Sequence, residues 1–270
     1  MYKIALHSVP RSGSSWLGSI FDSSPQVAYR FQPLFSYGHK GQINEISLKK
    51  EIDNFFKDIF HTEDKFVLQK QAISENRVPE FSKTTISHIV YKEVRYHHII
   101  TNLLEKNADI KIVGLVRSPF AVVNSWLNAP KEFRIEKGWK VEEEWRFATK
   151  KNLGRAEEFN GYERWKEACF MFLKLKELYP NQFYLVNYDD LIKETVLEVK
   201  TLFQFCNIEY TTQTNNFIMQ SSSSQNDDAY SVFKQKTSDL GWQSSLPLFI
   251  QNEIKNDPDF IKLNTVFKWI

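Results

Sequence analysis

Cysteine is nearly absent from the 270-residue chain: only Cys169 and Cys206 occur. They have neither metal-ligand spacing nor the pairing density of a secreted disulfide scaffold, so they read as buried thiols in a reducing compartment. Charge of one sign is also lacking. Lys and Arg number 35 against 33 Asp and Glu, a formal balance of +2, which argues against a non-specific nucleic-acid binder. Any anion must be recognised by a few placed cations. No apolar run approaches the ~20 residues of a membrane span. The first residues, "YKIALHS", enter a strand without the charged start and apolar core of a leader peptide. No internal repeat stands out. The expectation is a soluble, cytoplasmic protein with no nucleic-acid partner and no metal centre.

What is present is globular: 42% hydrophobic, 25% charged and 15% aromatic residues. The length suits one large α/β domain over 1–270. Strand patterns at 2–7, 26–31, 65–70, 87–94, 109–116 and 182–188 alternate with helical ones. The helical patterns are at 14–23, 47–60, 97–106, 119–128, a long pair over 141–178, 190–205 and one after Pro247. That alternation predicts a parallel sheet covered on both faces. Residues 32–46, 129–140 and 207–245 are least regular, with "SSSS" at 221–224 marking a loop. In such sheets ligands gather where loops leave the carboxyl ends of strands.

"SVPRSGSSWLGSIF" is a strand end, a tight turn and an apolar-striped helix. Gly13 allows close backbone approach, and the amides of 13–16 would point at an anion from the helix N-terminus. Ser14 and Ser15 add hydroxyls, and Arg11 adds a guanidinium fork. The Lys that a nucleotide-hydrolysing P-loop carries before its last Ser/Thr is missing. A Ser-capped helix with no ligand is the plain alternative.

"KIVGLVRSPFAVVNSWL" supplies a second candidate. The apolar strand runs into Arg117, where a magnesium-dependent enzyme usually places Asp. Ser118 and Pro119 open a helix. Ser125, seven residues past that cap, returns to nearly the same helix face, so Arg117 and Ser125 can converge on one phosphate. An ordinary salt bridge for Arg117 and an exposed mid-helix Ser125 are the alternatives.

Together, "PRSGSSWL" and the spacing from Arg117 to Ser125 resemble the 5′-phosphosulfate loop and 3′-phosphate motif of sulfotransferases that use 3′-phosphoadenosine 5′-phosphosulfate (PAPS). "YRFQPLF", "YKEVRY" and "LVNYDDLI" resemble segments of the bacterial and carbohydrate branch. The resemblance implies a P-loop-like, three-layer αβα fold with a central parallel sheet. It implies PAPS as co-substrate, no metal, and transfer to an acceptor hydroxyl, most readily on a carbohydrate. By the same resemblance Arg11, Ser12, Gly13, Ser14, Ser15 and Trp16 hold the 5′ end, and Arg117 and Ser125 hold the 3′ phosphate. Tyr188 lies near the adenine, and Trp16 stacks there or serves the core. Lys234 and Lys236, in "VFKQKTSDLGW", stand in the family's nucleotide-closing loop around 221–242. Asp189 and Asp190 read as helix caps. The acceptor is expected against 32–46 and 129–165, where Phe35, Tyr37, Trp139, Trp145, Tyr162 and Trp165 offer rings for a sugar or for the core.

Sulfuryl transfer should need cations at the leaving phosphate, supplied by Arg11 and the loop, and a base for the acceptor proton. Related carbohydrate enzymes often have Glu where this chain has Gln32, and a carboxamide takes no proton at neutral pH. Glu93, beside Lys92, which matches a lysine that polarises the sulfuryl group, is the first substitute, and His39 the second. His7 reads as a packed strand-end residue. A P-loop kinase, and a nucleotide- or glycan-binding relative that lost its base, are the competing readings.

Overall fold

The computed structural model describes residues 1–223, 231–233 and 239–270. Its centre is a five-stranded parallel sheet of β1 (Tyr2–Ser8), β2 (Val27–Phe31), β3 (His88–Glu93), β4 (Ile110–Val116) and β5 (Phe183–Asn187), in the order β2-β3-β1-β4-β5. β1 pairs with β3 on one side and β4 on the other. Its last five residues are buried, as a strand covered on both faces requires.

The helices follow in chain order as α1 (Ser14–Asp22), α2 (Lys49–Phe60), α3 (Lys70–Ser74), α4 (Ile100–Lys106), α5 (Pro119–Leu127), α6 (Val141–Glu144) and α7 (Thr149–Asn152). They continue with α8 (Tyr162–Leu178), α9 (Tyr188–Lys193), α10 (Thr195–Cys206), α11 (Thr212–Ser223), α12 (Trp242–Ser245), α13 (Leu248–Asn256) and α14 (Pro258–Phe267). On one face, Ile4, Leu6 and Val113 pack with Leu17 and Phe21 of α1, Phe203 of α10 and Phe217 of α11. On the other, Ala5, Tyr91 and Ile112 pack with Phe56 of α2, Leu103 of α4, Phe172 of α8 and Phe260 of α14. These are the three layers expected, with both cysteines buried and free.

The departures have local causes. Residues 65–69 form turns rather than a strand, because the Asp64 carboxylate accepts from the amides of Phe66 (2.8 Å) and Val67 (3.1 Å). Only 162–178 of the expected helical pair is long. Gly161 has φ 84° and approaches the Arg146 carbonyl so closely that a Cβ would lie 2.8 Å from it. The 207–245 stretch contains α11 and α12, so Ser221 to Ser223 end a helix rather than form a loop. The chain after β1 runs outward through β2, returns as β3, and crosses to β4. The carboxyl end of β1 therefore lies at the switch point, where such sheets bind ligands. No helix among the described residues is long and apolar enough to cross a membrane.

Candidate active site

Every strand delivers a site residue just at or past its carboxyl end. Arg11 follows β1, Gln32 follows β2, Lys92 is the next-to-last residue of β3, Arg117 follows β4 and Tyr188 follows β5. They line one cavity of about 650 Å³ together with Gly13, Ser14, Ser15, Trp16 and Ser125.

The first loop is wound by two left-handed residues, Arg11 at φ 69° and Gly13 at φ 88°. Gly13 is the N-cap of α1, and its carbonyl receives the amides of Trp16 (3.1 Å) and Leu17 (3.2 Å). The earlier amides have no acceptor within the helix, by its geometry. The Tyr188 ring lies over Gly13, where a Cβ would stand 2.4 Å from Cε2. Trp16 meets that ring edge-on at 6.4 Å and donates from Nε1 to Ser221 Oγ at 2.9 Å. This fixes α1 against the end of α11.

The two cationic motifs touch. Arg11 Nε donates to Ser125 Oγ at 3.1 Å, and one Arg117 terminal nitrogen donates to the Arg11 carbonyl at 2.7 Å. Arg117 also stacks over Tyr188 at 4.7 Å. Its Nε donates to Asp239 at 2.8 Å, and its other terminal nitrogen donates to the second Asp239 oxygen. Burial opposes the Arg117 charge, and the Asp239 pair more than offsets it, so its pKa is raised. Arg117 is thus the salt-bridged arginine and the cavity arginine at once.

Lys92 is almost wholly buried, with Nζ 4.2 Å from the centre of the Phe31 ring. Burial lowers its pKa to about 7, although the charge of Glu93 pushes back. Glu93 itself faces away. Side chains alternate along a strand, and Glu93 shares its face with His7, its partner in β1, and with Tyr91. Its Oε1 accepts from the Leu34 amide at 2.8 Å, Oε2 has no partner, and burial raises its pKa to about 8. His39 is held between Gln42 (3.0 Å) and Thr62 (2.9 Å). Neither Glu93 nor His39 lines the cavity, and neither does Ser12, whose buried hydroxyl has no partner. Lys234 and Lys236 lie outside the described residues.

Other expectations resolve individually. His7 is packed at its strand end, bonded to His97 (3.1 Å) and Tyr91 (3.3 Å). Ser118 occupies the N-cap of α5 without a side-chain cap bond. Asn187 rather than Asp189 or Asp190 caps α9, accepting from the Asp189 amide. Of the six aromatic residues expected near an acceptor, only Phe35 lines the cavity. Trp145, Tyr162 and Trp165 form a stacked core run, Trp139 packs on Phe133, and Tyr37 is fully exposed.

The wall beyond Lys92 holds residues that the sequence did not single out. Phe66 packs on Phe31 and Phe35 at 5.4 and 5.9 Å. The Arg95 guanidinium stacks on Phe35 at 4.2 Å and pairs with Glu158 at 2.9 Å. Glu132 receives Lys151 Nζ on Oε2 at 2.7 Å. The only available signal was positional, since Glu132 falls within the irregular 129–140 stretch. Among the described residues, no group of three or more His, Cys, Asp or Glu could hold a metal ion.

The chain belongs to the sulfotransferase family: the family described as the sulfotransferase domain matches residues 2–256. Solved structures share its fold at low identity. The sulfotransferase domain of the Synechococcus PCC 7002 olefin synthase is 15% identical, with a TM-score of 0.54 over 99% of this chain and 95% of that one. A sulfotransferase from Alicyclobacillus acidocaldarius is 12% identical, with a TM-score of 0.53 over 99% and 96%. Mouse sulfotransferase SULT7A1, solved with PAP, is 14% identical, with a TM-score of 0.50 over 98% and 88%. No curated protein matches the sequence.

Proposed function

We propose that this sulfotransferase moves the sulfuryl group of PAPS to an acceptor hydroxyl on a carbohydrate, by in-line displacement that releases 3′,5′-ADP. The observation that carries the reading is the convergence of Arg11 and Arg117 from neighbouring strands on one cavity. Family membership supports the donor, and mouse SULT7A1 was solved with PAP. Residues Arg11 to Trp16 suit the phosphosulfate end. Arg117 with Ser125 suits the 3′ phosphate, and Tyr188 and Trp16 suit the adenine.

Charge builds on the bridging oxygen as the S–O bond breaks, as in phosphoryl transfer. Arg11 and the α1 amides stabilise that charge without reorganising. Lys92, whose depressed pKa a nearby anion raises again, polarises the sulfuryl oxygens. The half-exposed rings of Phe35 and Phe66, beside Gln32 and Glu132, suit the apolar face and hydroxyls of a sugar. Free buried thiols at Cys169 and Cys206 suit a cytoplasmic enzyme acting as a single domain.

Calorimetry with 3′,5′-ADP, AMP and ATP tests the donor. Binding of 3′,5′-ADP well above AMP is expected, and preference for ATP with magnesium would return the kinase reading. A second reading, a binding protein without turnover, draws on Gln32 and on the placement of Glu93 and His39 outside the cavity. Transfer of radiolabelled sulfate from PAPS to a panel of glycan acceptors separates the two.

A further inference from the structure

We propose that Glu132 takes the proton from the acceptor hydroxyl. The inference rests on the sulfotransferase reading. In that reaction the acceptor oxygen forms a bond to sulfur while the bond from sulfur to the 5′-phosphate oxygen breaks. The bonding pair leaves with 3′,5′-ADP, and the hydroxyl proton must pass to a base in the cavity.

Among the described residues, two carboxylates line that cavity, Asp239 and Glu132, and no histidine does. Both Asp239 oxygens are engaged by Arg117 at the 3′-phosphate end. Glu132 stands elsewhere, in the turn after α5, the helix whose Ser125 binds Arg11. Its side chain is 28% exposed, so it is reachable without being fully hydrated. Lys151 holds Oε2 at 2.7 Å and leaves Oε1 for a hydroxyl. A base oriented by a third group is the recurring arrangement for activating an oxygen nucleophile.

The setting supports the assignment. Burial lowers the Lys92 pKa, and the charge of Glu132 is among those that push it back up, so the two groups are in electrostatic reach. Lys92 and Glu132 share the cavity with Phe31, Phe35 and Phe66, the aromatic wall offered to an acceptor. The chain thus has Gln32 where related enzymes often have Glu, and a carboxylate from a different element in the same space.

The test compares wild type, Glu132→Gln and Glu132→Asp using radiolabelled PAPS and two acceptors. An alkyl glucoside carries an un-ionised hydroxyl, whereas 4-nitrophenol is already largely ionised at the assay pH and needs no base. Glu132→Gln is expected to lower kcat/KM on the glucoside by ~10²-fold or more. It should spare most of the nitrophenol activity and leave the calorimetric affinity for 3′,5′-ADP unchanged. Glu132→Asp should recover part of the glucoside activity. Equal loss on both acceptors, or no loss on either, overturns the role while leaving the transferase reading intact. Wild-type protein that binds 3′,5′-ADP but transfers to neither acceptor overturns both.

Discussion

The Asp239 carboxylate sits in the fork of the Arg117 guanidinium, accepting from Nε at 2.8 Å and from a terminal nitrogen. A 3′ phosphate would seek the same two donors. If Arg117 takes the 3′ phosphate as proposed, the carboxylate is an internal competitor, and its strength sets how much of the arginine's charge a nucleotide can use.

Replacing Asp239 with Asn should accordingly tighten 3′,5′-ADP binding, by roughly fivefold to tenfold, equivalent to about 1–1.4 kcal/mol. AMP, which has no 3′ phosphate, should bind as before. Arg117→Met should weaken 3′,5′-ADP by ~10-fold or more, since hydrogen bonds to charged groups contribute ~1.5–3 kcal/mol. Calorimetry reads all three; weaker binding to Asp239→Asn would refute competition.

Gly13→Ala should destabilise the protein by roughly 2–3 kcal/mol, through left-handed strain and the collision with Tyr188. The urea midpoint reports it. Adding Tyr188→Ala should restore only the part due to the collision, because the φ of 88° remains. Full recovery in the double variant would rule out backbone strain.

His7 titrates at about 3 because burial disfavours its charge and His98 adds repulsion. The unfolded chain binds that proton near 6.5. Between those values the unfolded state holds a proton that the native state lacks, so stability falls with falling pH. The His7 contribution is at most ~1.4 kcal/mol per pH unit. His97, also lowered well below its usual value, adds in the same direction. His7→Gln should therefore show a smaller drop in Tm than wild type between about pH 6.5 and pH 5.5. Identical pH slopes would contradict a neutral, buried His7.

Transfer should persist in EDTA. Arg117 stands at the end of β4, where a metal-assisted phosphoryl enzyme usually carries a carboxylate. Strict dependence of the transfer rate on added magnesium would be incompatible with the site as described.

Much of the sheet and the cation loops was legible from the chain alone. Short apolar runs such as "IVGLV", alternating with helical patterns, fit buried parallel strands. The Arg11 loop and the turn from Arg117 into Pro119 are local objects, set by residues adjacent in sequence. What escaped depends on long-range placement. Glu132 meets Lys151 across a chain reversal, and Asp239 meets Arg117 over 122 residues. Glu93 lies outside the cavity that Lys92 lines because neighbours in a strand point to opposite faces. Strand "KFVLQK" failed because one side chain, Asp64, bent the backbone before any sheet could claim it.

The bonds from Arg117 to the Arg11 carbonyl and from Arg11 to Ser125 leave the two cationic motifs with no independent hinge. On the proposed reading the pair would act as a caliper preset to a single opening. A donor would then be gauged by the span between its terminal anions before its chemistry is consulted, and two separate anions, however concentrated, would not add up to one of the right length.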